Sequence, residues 1–172
     1  AKANGDPEDS FAEVGVTAKA KISETELKVG TLFPMTPVLV GSPARILPQT
    51  YRGVALESKE IEKTKIEAGY VNRVNQRDST NWEKIRLSGG NMKYPSVETD
   101  GLYYVGGYYS FRPDTTIGLF HANLDDVYDQ YTVSARNTHR FNERYHLFTD
   151  FRYFTTSESG AELAGRVDSQ HA

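Results

Sequence analysis

Residues 13–22, EVGVTAKAKI, alternate apolar and polar side chains without a break. Val14, Val16, Ala18, Ala20 and Ile22 point one way; Glu13, Thr17, Lys19 and Lys21 point the other. A period of two is that of a β-strand. The pattern returns at 25–33, 51–59, 65–73, 101–112, 115–125, 129–140 and 144–156. It puts Leu27 and Val29 opposite Lys28, Ile66, Ala68 and Tyr70 opposite Glu67 and Arg73, and Tyr103 in register with Val105, Tyr109 and Phe111. Tyr131, Val133 and Ala135, then Tyr145, Leu147, Phe151 and Tyr153, form apolar faces opposite Arg136, Asp150 and Arg152. The pattern predicts about eight antiparallel strands of roughly ten residues. That length suits a tilted membrane-crossing strand of about 9–11 residues better than a soluble strand of about five or six. Alternation by itself fits equally any half-buried sheet with one wet face.

The connections narrow the choice. They run short (23–24), long (34–50), short (60–64), long (74–100), then short at 113–114, 126–128 and 141–143, with another long segment from 157. With one exception long and short alternate, as in an outer-membrane barrel with tight turns on one side and extended loops on the other. Within 74–100, EKIRLSG can form a small hairpin arm. The loop FPMTPVLVGSPARILPQT is apolar and broken by four prolines, too irregular for a helix or a central strand.

Composition agrees with a sheet. Aromatics make up 12% of 172 residues, with 11 tyrosines, which favours strands. The net charge of −3 argues against a dedicated nucleic-acid binder. The absence of cysteine excludes disulfides, thiol catalysis and thiolate metal sites. No apolar run reaches 18 residues, so no membrane helix is predicted. His121, His139, His146 and His171 lack metal-ligand spacing, no glycine-rich phosphate loop follows a strand, and DDVYD lacks the calcium-loop pattern and reads as a solvated hairpin tip.

Three segments in order, KISETELKVG (21–30), LPQTYRG (47–53) and NLDDVYDQY (123–131), resemble motifs of the OprD-type outer-membrane porins over about residues 12–157. The resemblance implies an all-β fold: an antiparallel transmembrane β-barrel of the porin type, with about eight of 18 strands in this chain as one partial barrel domain over 1–172. It further implies a place in the bacterial outer membrane, a trimer when full length, and passive diffusion of small anionic or zwitterionic solutes with no cofactor and no metal. Eight strands cannot close a wide pore, so the chain reads as an internal part of a longer porin.

In that family the long third loop folds inward and a ladder of cations lines one wall. The matching pathway residues are Arg45 and Arg52 in the loop motif, then Arg73, Arg136 and Arg152, with Lys19 and Lys21 on the same expected face. Glu67 and Asp150 are the acidic members of that face, and pair with lumen arginines as readily as the arginines touch solute. Arg52 shares the parity of Val54 and Leu56, which aims it outward unless the loop or a bulge turns it. Asp129 stands where the family often has a basic residue, which makes that point less positive. Tyr103, Tyr109, Phe111, Tyr145 and Tyr153 are candidates for interfacial girdles. The alternative reading is a soluble β-sandwich or barrel that binds a ligand such as a sugar. The two differ in the apolar face: enclosed in the soluble protein, an outward belt in the porin.

Overall fold

A computed structural model gives the architecture and describes residues 14–43, 48–76, 79, 81–87 and 96–161. The strands are β1 (Thr17–Ile22), β2 (Thr25–Leu32), β3 (Thr50–Ser58), β4 (Thr64–Asn75), β5 (Trp82–Leu87), β6 (Val97–Thr99), β7 (Leu102–Arg112), β8 (Thr115–Leu124), β9 (Tyr128–Arg140) and β10 (His146–Glu158). Eight run side by side, each antiparallel to the next, in the order β1-β2-β3-β4-β7-β8-β9-β10. These are the eight strands that the alternation predicts. The hairpin arm is β5 and β6: β5 pairs with the end of β4, and β6 with β5.

Cross-strand partners share a face, so the register sorts every side chain. One face carries Leu27 beside Leu56, Leu56 beside Ala68, Ala68 beside Val105 and Leu119 beside Val133. This apolar face is uncovered: Leu119 is 60% exposed, Phe151 57% and Val105 50%. A soluble sheet would bury such side chains, each worth about 1.5–3 kcal/mol on leaving water. Here a second solvent, lipid, is required. Rings gather at both borders of the belt. Tyr70 stacks on Tyr103 at 4.4 Å, and six residues further along β7 Tyr109 meets Phe111 edge-on at 4.7 Å.

The opposite face is charged, and the apolar cluster that packs with the loop lies toward one end. Turns 23–24, 59–63, 113–114 and 141–145 close one edge of the sheet; the described parts of loop 33–49 and of segment 76–101, with turn 125–127, lie at the other. At the long-loop edge, Leu39 of the loop joins Leu32, Tyr51, Val71, Leu102, Tyr104 and Leu124 in one buried cluster, with Val38 packed against it. All six wall residues have charged-face parity. The proline-rich loop therefore folds over the charged face and holds itself there by apolar contact. The 125–127 turn contributes too. Asp126 takes φ 58° at its tip and is exposed, but Val127 is fully buried. The expectation of a wholly solvated tip is corrected: the apolar residue inside the acidic run is a core anchor.

A bulge in β4 changes the assignment of one site residue. Gly53 pairs with Val71, but Arg52 pairs with Arg73, leaving Asn72 without a cross-strand partner. The extra residue turns the rest of β4 over, so Arg73 joins the face of Arg52 rather than that of Glu67. The expected parity of Arg73 is corrected for that reason. Gly53 permits the bulge, because a Cβ there would collide with the Tyr70 carbonyl oxygen.

At the short-turn edge Glu60 ties two turns together. It accepts from the Glu24 amide at 2.8 Å, from Ser23 Oγ at 3.0 Å and from Thr25 Oγ1 at 3.2 Å. The bond from the Glu24 amide, then that from Ser23, holds its carboxyl below the usual range. A depressed folded pKa stabilises above the unfolded value, about 4.3 for Glu, and the effect is lost as pH falls through the folded value. The protection of the Glu24 amide against hydrogen exchange, corrected for the intrinsic rate, should therefore be steady at neutral pH and decline on acidification below that range. In Glu60→Gln it should be low and flat; a wild-type decline persisting in that variant would show that Glu60 is not its source.

Candidate functional site

Two groups of ionised side chains stand on the charged face. The first crosses β1–β4. Lys21 pairs in register with Glu26, Glu26 with Glu57, and Glu57 with Glu67. Lysines are interleaved. Lys28 Nζ lies 2.8 Å from Glu26 Oε1, and Lys65 Nζ lies 2.7 Å from Glu67 and 3.3 Å from Glu57. Lys19 is beside Lys28. Glu67 Oε2 is buried with no hydrogen-bond partner among the described residues. Three carboxylates in adjacent strands repel, and the lysines between them make the row tolerable.

The second group is on β9 and β10. Arg152 grips Asp150 with two bonds, Nε at 3.0 Å and Nη2 at 2.8 Å. Arg136 Nε is 3.3 Å from the same carboxylate. Two guanidinium groups on one carboxylate leave a net positive charge of one. Both arginine side chains stay nearly half exposed, at 44% and 48%. Each has five N–H donors, and Arg152 commits two of them to Asp150.

The groups share a row of the sheet. Lys65 is beside Tyr108, Tyr108 beside Gly118, Gly118 beside Ser134, and Ser134 beside Arg152. Four strand steps at about 4.8 Å separate Lys65 from Arg152 by roughly 19 Å along the wall. The folded loop closes over one end of this surface. Phe33, Pro34, Met35 and Thr36 line, with Lys28, Glu57, Lys65, Glu67 and Tyr104, a cleft of ≈ 230 Å³.

The placement of the expected residues is mixed. Arg136, Arg152, Lys19, Lys21, Glu67 and Asp150 are on the charged face. Arg45 lies outside the described residues. Arg52 keeps its outward parity beside Thr31, and its guanidinium sits over the Trp82 ring at 4.7 Å. Asp129 is also on the apolar face, beside Asn123, where it accepts from His121 Nε2 at 2.9 Å and Asn123 Nδ2 at 3.1 Å. It therefore does not subtract charge from the face that holds Arg136. The row Glu26–Glu57–Glu67 with Lys65 was not singled out from sequence. The strand alternation gives each residue a face, but their gathering is set by the register of four separate strands.

An uncovered apolar belt, a charged opposite face and an apolar loop folded against that face define the wall of a transmembrane β-barrel channel. A model of the OprD family, outer membrane porins, matches residues 1–172, and the chain belongs to that family. Its place is the bacterial outer membrane. It is 28% identical over 168 residues to Porin D of Pseudomonas aeruginosa, covering 96% of this chain and 37% of Porin D. Among solved structures it is similar to OccAB2 of Acinetobacter baumannii, with 48% identity and a TM-score of 0.93, over 98% of this chain and 42% of that one. It is also similar to Pseudomonas aeruginosa OpdK, solved with vanillate, with 32% identity, a TM-score of 0.89, and coverage of 96% and 43%. The chain thus spans well under half the length of these relatives.

Proposed function

We propose that the chain forms part of the wall of a channel through which small carboxylate-bearing nutrients, such as amino acids or organic acids, cross the outer membrane passively. The observation that carries this reading is the loop, which packs Leu39 into the wall and brings Phe33–Thr36 against ionised side chains. A constriction excludes bulk water, and there each fixed charge acts more strongly on a passing ion. Arg136 and Arg152 offer donors suited to carboxylates, with Lys19 and Lys21 further along the wall. Glu57 and Glu67 beside Lys65 suit the ammonium of a zwitterion. Weak sites in series let a solute enter and still leave. The vanillate on OpdK is a carboxylate, which supports the same solute class here.

The test is liposome swelling with the intact channel that contains this chain. Small monocarboxylates are expected to enter several-fold faster than neutral sugars of equal size. Equal rates would remove the carboxylate preference and leave a general diffusion pore.

A further inference from the structure

On the apolar face, at the long-loop border of the belt, three cations stand in one row. Arg52 is paired in register with Arg73, and Arg73 with Lys84. The β4 bulge puts Arg73 there. Among the described residues Lys84 has Asp100 as a countercharge, 2.9 Å from its Nζ. Arg73 Nη1 donates to the Asn72 carbonyl at 2.8 Å, and Arg52 is set over Trp82 at 4.7 Å. Arg52 and Lys84 are exposed.

Directly toward the middle of the belt lies an outward groove of ≈ 480 Å³, lined by Leu27, Val54, Leu56, Ala68, Tyr70 and Val105 among others. Ala68 makes it, being the small residue in register between Leu56 and Val105. The cations and the groove are contiguous, since Val54 is two residues along β3 from Arg52. Neither feature serves the solute pathway, which runs over the opposite face.

We propose that this surface holds a phosphate-bearing lipid of the leaflet at the long-loop end, its phosphate on Arg52, Arg73 and Lys84 and an acyl chain in the groove over Ala68. Guanidinium forks match phosphate oxygens in pairs. Trp82 at the same level is the side chain that membrane interfaces favour. The inference rests on the barrel fold and not on the solute class.

Native mass spectrometry of the intact channel in detergent, with added dioleoyl phosphatidic acid or dioleoyl phosphatidylcholine, tests it. Phosphatidic acid should be retained preferentially. R52Q/R73Q/K84Q should cut its retention at least tenfold, and A68L should weaken it without changing single-channel conductance. A control that removes three charges at the short-turn edge, K63Q/R112Q/R140Q, should leave retention intact. Unchanged retention in the first triple variant would overturn the proposal. Equal loss in the control would overturn it as a net-charge effect. Loss of oligomer mass without loss of lipid would assign the surface to a neighbouring subunit instead.

Discussion

Replacing Leu119 with arginine is expected to cost the folded channel about 2–4 kcal/mol, the penalty for a charge on the lipid face near the bilayer midplane. Leu119 lies in the middle of β8, is 60% exposed and has Val133 and Gly107 as its register partners, so it sits within the belt. There is no room for the guanidinium to be hydrated there without thinning the bilayer or drawing the side chain along the wall. Thr156→Arg, on the charged face of β10, should cost close to nothing, because a wet lumen solvates the new charge. The denaturant midpoint of the intact channel folded into lipid vesicles measures both. Equal midpoints for the two variants would mean that the apolar face does not meet lipid, and the barrel assignment of the faces would fail with it.

The second large effect is on charge selectivity. Asp150 holds Arg136 and Arg152 together, a cluster of net charge +1. R136Q/R152Q leaves the carboxylate alone and takes the cluster to −1. D150N takes it to +2. The reversal potential under a salt gradient should move toward the cation potential in the first and toward the anion potential in the second. The anion-to-cation permeability ratio should fall by roughly tenfold in the double variant, the lower end of what a focused field does to local ion concentration. High salt should reduce the shift, since the Debye length at 1 M is about 3 Å. Potentials that stay at the wild-type value in both variants would remove this cluster from the conducting path. Arg52 and Arg73 serve as the contrast. Facing lipid, R52Q/R73Q should leave the potential where it is.

The eight main strands, their antiparallel order and the apolar belt were legible along the chain, because alternation is local. Each residue's side follows from its neighbours two positions away, wherever the backbone stays regular. The loop's apolar composition, four prolines and place between β2 and β3 likewise marked it before any contact was known. Asn72 shows where local reading stops. Nothing in KIEAGYVNRVN signals an extra residue. The bulge depends on how β4 meets β3 at Gly53, a glycine that stands far off in the sequence and allows the backbones to approach. One such slip reverses every later side chain, which carried Arg73 from the charged face to the apolar face. Asp129 shares the parity of Tyr131, so alternation alone already put it on the apolar face, and its register with Asn123 agrees. Val127 looked like part of a polar tip until the wall closed around it. The sequence by itself determined the strands and which residue types alternate along them. Tertiary structure decided which charges meet, where the loop packs and that Arg73 turns outward, because those depend on the pairing of strands distant in the chain.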